Sequence, residues 1–170
     1  MRLGQKARAH EIADFFFEHQ RPKEWRQWAE VVWRDPETPK FIGDMPHTWV
    51  ASDFVRSALD FFGYERAADS SYVLGAGVIP EWLTGDGLRV RGVGTHYGTL
   101  DLRRVHRGDQ ITAAVQGLRM PPGGVLLRPP AGQRFVQVTG DGTLAGDGSV
   151  RLTRLPANVQ AAVSPDGPRR

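Results

Sequence analysis

The sequence predicts an α+β chain in which three N-terminal helices pack on a C-terminal antiparallel β-sandwich of about eight strands. Up to about residue 66, apolar side chains recur at helical spacing; beyond it, short β-like runs are separated by Gly, Pro and Asp. The absence of cysteine leaves packing, not disulfides or thiolate metal sites, to hold such a fold together. On this reading the chain divides into a helical segment 1–66, a sandwich 67–165 and a polar tail 166–170.

The first helix is expected over residues 5–19, where Ala9, Ile12, Ala13 and Phe16 fall at i, i+3, i+4 and i+7, and Arg21-Pro22 ends it. The second is expected over 22–34, with Trp25, Trp28, Ala29 and Val32 at the same spacing, Pro22 in its first turn and Asp35-Pro36 as its stop. The third follows Pro46 and runs to about Phe62, with His47, Ala51, Phe54, Ala58 and Phe61 on one face and Gly63 as its C-terminal break. The strands then begin at "SYVLGAGV" and continue through "GLRVRGV", "GTLDLRRV", "QITAAVQGL", "GGVLLRP", "RFVQVTG", "SVRLTRL" and "NVQAAV". Alternation in "LRVRGV" and "TLDLRRV" gives each strand one buried and one wet face. "IPEWLTGDG" reads as a short helical turn with Trp82 capping one end of the core, and the Asp-Gly steps of "TGDGTLAGDGS" read as turns.

Charge and hydropathy narrow the function classes. The net charge is +3 and the pI about 9.7, yet arginines are scattered among acids, and no basic stripe with interleaved aromatics marks a nucleic-acid groove. No apolar run approaches a membrane span and no secretory leader opens the sequence, so a soluble chain, cytoplasmic by default, is expected, with no membrane partner. Histidines 10, 19, 47, 96 and 106 lack metal-helix spacing, and neither a phosphate loop nor a G-x-S-x-G elbow is present. No metal and no cofactor are expected.

What remains is a concentration of acids (Glu24, Glu30, Asp35, Glu37, Asp44, Asp53) among four tryptophans (Trp25, Trp28, Trp33, Trp49). Carbohydrate chemistry needs both: carboxylates to trade protons with a glycosidic oxygen, and aromatic faces to stack on a sugar ring. Each residue also has a plain local role. Glu30 has Arg26 and Arg34 at i−4 and i+4 as ion-pair partners on a helix, His47 sits where a helix cap belongs, and Asp44 suits a helix N-terminus. Asp53 has Arg56 at i+3, and Trp25 and Trp28 have core spacing, which leaves Trp33 and Trp49 as the stacking candidates.

The stretches "RPKEWRQWAEVVWRDPETPKFIGDMPHTWVASDFVRSALDFFGYER", "YVLGAGVIPEWLTGDGLRVRGVGTHYGTLDLRR" and "MPPGGVLLRPP" together resemble the C-terminal end of bacterial glycoside hydrolases with an (α/α)6 catalytic barrel, of the α-L-rhamnosidase type. The resemblance implies the last helices of a partial α/α toroid followed by a trailing sandwich. It also implies Glu30 of "WAE" as general base and His47 of "MPHTWVASD" as a sugar contact; Asp44, Trp49 and Trp33 are the further sugar-contact candidates that the residues themselves offer. The family loop reads Asn-His where this one reads Pro46-His47, and the opposing acid would lie on an earlier barrel segment. The implied protein is a fragment or subunit of an inverting glycosidase, inactive alone, with a carbohydrate ligand and a protein partner that completes the barrel. The alternative is a non-catalytic carbohydrate-binding or accessory sandwich module.

Overall fold

Among the described residues, apolar spacing in the N-terminal part produces two α-helices rather than three. The computed structural model describes residues 1–20, 23–31 and 43–167. They divide at Asp60 and Phe61 into a helical unit and a β unit.

In the helical unit, α1 (Lys6–Glu18) and α2 (Thr48–Asp60) are the only α-helices among the described residues. The rings of Phe16 and Phe54 lie 6.4 and 4.3 Å, centroid to centroid, from that of Trp28. Trp28 is buried, and its indole N–H donates to the Phe16 carbonyl at 2.8 Å, so its one polar group keeps a partner. The helix expected over 22–34 is replaced, as far as residue 31, by a single 3₁₀ turn (Lys23–Trp25), and Arg26 adopts φ +51°. A left-handed non-glycine residue cannot continue a right-handed helix. Downstream, the carbonyl of Trp28 accepts the His47 N–H at 2.9 Å and the Glu30 N–H donates to the Asp44 carbonyl at 3.1 Å. Backbone groups that a helix would pair internally are thus committed to the segment before α2. Trp25, expected in the core, is 63% exposed.

The β unit contains two five-stranded sheets. The first has the order β1 (Gly63–Arg66), β2 (Ser71–Leu74), β6 (Val125–Leu127), β9 (Val150–Leu152), β8 (Gly142–Leu144). The second has the order β3 (Leu88–Thr95), β4 (Gly98–Arg107), β5 (Gln110–Leu118), β10 (Ala157–Pro165), β7 (Gln133–Gly140). All neighbours are antiparallel except β2 and β6, which run parallel with Val73 opposite Leu126. The expected architecture is corrected here as well: β1 occupies the last residues of the segment 1–66 assigned to helices, and one sheet is mixed rather than purely antiparallel. β2 and β6 are buried at every position, as suits strands with no wet face, and apart from Ser71 at the start of β2 they carry only Tyr, Val and Leu.

Alternation builds the core between the sheets. Leu100 and Leu102 of β4, Ile111, Ala113 and Val115 of β5, and Ala157, Val159 and Ala161 of β10 meet Tyr72, Leu74, Val125, Leu127, Val150 and Leu152 of the first sheet. The turn over Pro80–Leu83 forms as expected, but Leu83, not Trp82, enters the core. Trp82 lies at the surface against Phe61 and Phe62, at 6.1 and 5.9 Å.

Candidate functional site

The two backbone hydrogen bonds that cancel the second helix create the one place where the sugar-chemistry residues meet. They hold residues 28–30 alongside residues 44–47, so Glu30, Asp44 and His47 share a short stretch of surface with Trp49 in the first turn of α2. Glu30 is exposed and its side chain lies over Gly43: a Cβ there would collide with the Glu30 carboxylate, so only glycine leaves the carboxylate that position. Gly43 also has φ +65°, which glycine adopts without strain.

His47 caps α2. Its carbonyl takes the first helical bond, from the Ala51 N–H at 3.1 Å, and its Nδ1 accepts the Val50 N–H at 3.4 Å. An accepting Nδ1 places the imidazole proton on Nε2. Capping and ligand contact use different atoms, so the local role does not preclude the other. The Trp49 ring stands edge-on to His47 at 6.4 Å and is 81% exposed, an apolar face turned to solvent. Asp44 is exposed, and it uses its carbonyl, rather than its place near a helix N-terminus, to hold the site together. Trp33, Asp35 and Glu37 lie outside the described residues. Asp53 meets Arg56 at 4.0 Å, both well exposed, an ordinary surface pair.

Chemically, this surface offers one stacking ring, two carboxylates and an imidazole N–H. Hydrolysis of a glycoside by two carboxyl groups requires that they flank the scissile bond. Glu30 and Asp44 are both exposed.

The β unit has a cleft of about 480 Å³, lined by Asp69, Met120, Pro121, Pro122, Gly123, Gly124, Arg151, Leu152 and Thr153. Its charged groups are engaged internally: Arg151 donates to the Gly123 carbonyl at 2.7 Å, and Asp69 accepts from Arg66 and Ser71. The cleft is wide and has no aromatic lining. His96 and Tyr97, at the β3–β4 turn, are also structural, with the His96 N–H on Glu65 Oε1 at 2.9 Å and the Tyr97 ring against Tyr72.

Among the described residues, no helix is long and apolar enough to cross a membrane. No known protein family, no curated protein and no solved structure matches this chain. The likeness to glycoside hydrolases rests on the quoted sequence stretches alone.

Proposed function

We propose that the chain is a non-catalytic carbohydrate-binding or accessory module whose sugar contacts are Trp49, His47, Glu30 and Asp44. The observation that carries this reading is the pinned junction before α2, where a largely exposed indole stands beside an imidazole and two carboxylates. A pyranose presents an apolar face and a rim of hydroxyls, and such a surface answers both: the ring covers carbon-bound hydrogens while carboxylates accept from hydroxyls. Exposure of both carboxylates suits binding, because it leaves them open to accept from the hydroxyls of a ligand.

Titration calorimetry against neutral oligosaccharides tests the proposal. Saturable binding is expected, with Trp49→Ala weakening it about three- to tenfold through the lost stacking contact. A chain that binds no member of a broad panel, or binds equally without Trp49, defeats the reading.

The second reading keeps Glu30 as the general base of a split glycosidase whose acid comes from a partner chain. Its support is the sequence resemblance together with exposed apolar side chains on the helical unit, among them Leu3, Phe17, Trp25 and Val55. Light scattering of the chain alone and mixed with the product of a neighbouring reading frame separates the two. A defined heterocomplex with glycosidase activity abolished by Glu30→Gln selects the second, and a monomer indifferent to that product selects the first.

A further inference from the structure

Arg104 is fully buried, and none of its three guanidinium nitrogens has a hydrogen-bond partner. It belongs to the inward face of β4, in line with Leu100 and Leu102, where strand alternation calls for another aliphatic residue. Its register neighbours are Leu88 on β3 and Ala113 on β5, neither of which can accept a hydrogen bond from its side chain. Across the core it abuts Gly75, where any side chain would strike Nη1, so the guanidinium lies against the bare turn that follows β2.

A further unpartnered polar atom lies close by on the same strand. His106, two residues on and on the same face of β4, has a buried Nε2 without a partner. The carboxylates on the surrounding elements, Glu81, Asp86 and Asp109, are all exposed, and none pairs with Arg104.

An arginine does not escape burial by losing its proton at neutral pH. Burial pushes the Arg104 pKa down to about 10, which still leaves it charged. A buried charge without a counter-charge is among the most costly arrangements a core can hold, and water alone supplies acceptors but no neutralisation.

We propose that the space between β4 and the turn at Gly75 is an internal site for a small oxyanion, a carboxylate or a phosphate. The guanidinium fork of Arg104 holds two of its oxygens and His106 contributes a further donor. The site is independent of the surface around Trp49.

The test is the thermal unfolding midpoint of the full chain, after exhaustive dialysis, against acetate and inorganic phosphate at constant ionic strength. One of the two should raise the midpoint saturably, by about 4 °C or more at ten times the half-saturating concentration. A response to acetate alone identifies a carboxylate ligand, and a response to phosphate alone a phosphate. Arg104→Met, which keeps the stem and removes the charge, should fold and lose the response. Arg104→Lys, which keeps the charge and loses the fork, should need at least about tenfold more anion. Wild-type protein indifferent to both anions, or Arg104→Met with an unchanged response, overturns the proposal. Should neither variant fold, the Nε–Hε resonances of the wild-type arginines decide it: one that is protected from exchange and shifts saturably with the anion supports the site, and none shifting overturns it.

Discussion

At Asp69 and at Asp147, one carboxylate oxygen accepts both the backbone N–H and the hydroxyl of the serine two residues on. The distances are 3.2 and 2.7 Å to Ser71, and 3.1 and 2.5 Å to Ser149. The residue between turns left-handed in each case, Ser70 at φ +55° and Gly148 at φ +74°, and the serine is fully buried where its strand begins. An arginine closes each motif from outside: Arg66 on Asp69 at 2.6 Å and Arg128 on Asp147 at 2.7 Å. The hydrogen bonds from Arg66 and then Ser71 hold Asp69 well below the usual carboxylate range. Burial pushes Asp147 upward, but bonds from Ser149 and Arg128 outweigh it, and Asp141 is lowered by Arg154 and the Asn158 N–H. A carboxylate whose folded-state pKa is depressed stabilises the fold above its unfolded value and loses that contribution as pH falls toward the folded one. The melting temperature should therefore hold steady from pH 7 to about 5 and fall below about pH 4. In an Asp69→Asn, Asp147→Asn double variant it should start lower at pH 7 and fall less steeply in acid; melts across pH 2–7 on both proteins check this. An equal slope in the two would show that these carboxylates carry none of the acid sensitivity.

Among the elements, α1, α2 and most of the strands were legible, because each has an apolar period that matches its geometry over enough residues to be distinctive. The helix expected over 22–34 was not, although its spacing was real. Trp28 is buried as that spacing implies, but by ring contacts with Phe16 and Phe54 that an irregular segment makes equally well. A period over so few residues records which side chains are buried and not which backbone presents them. β1 escaped because "GYER" is too short to alternate and follows closely on an amphipathic helix, and its strand character comes from pairing with β2. Glu30, Asp44, His47 and Trp49 were legible as residue types, whereas what gathers them, two backbone bonds across the 28–30 and 44–47 segments, leaves no mark on composition. Arg104 was invisible for the opposite reason: in "DLRRVHR" it reads as one more exposed charge. β6 offers a test at this scale. Leu127 is 1% exposed on a strand flanked by β2 and β9, so Leu127→Ala should cost about 2–5 kcal/mol, read as a lower denaturant midpoint at unchanged m-value. A cost under about 1 kcal/mol would mean that β6 is not where the two sheets meet.

For the molecule as a whole, the core between the sheets is built wholly from residues of the β unit, from Tyr72 to Ala161. A chain starting at Phe61 should accordingly fold alone, with a β-type circular dichroism spectrum and one cooperative thermal transition. A non-cooperative melt would show that the first sixty residues supply something the core lacks. The parallel pairing of β2 with β6 has a further bearing, on the order of events during synthesis. β2 is complete at Leu74, but its neighbour on that side begins only at Val125, after β3, β4 and β5 have been made. Those three strands are linked by tight turns and can zip together as they emerge, whereas β2 has only β1 to lean on. Closing so long a loop is slow relative to hairpin formation. For that interval the nascent chain carries "SYVL" with one unfilled edge, a largely apolar strand waiting for a partner. It is the segment on which a chaperone, or a second nascent chain, would first take hold.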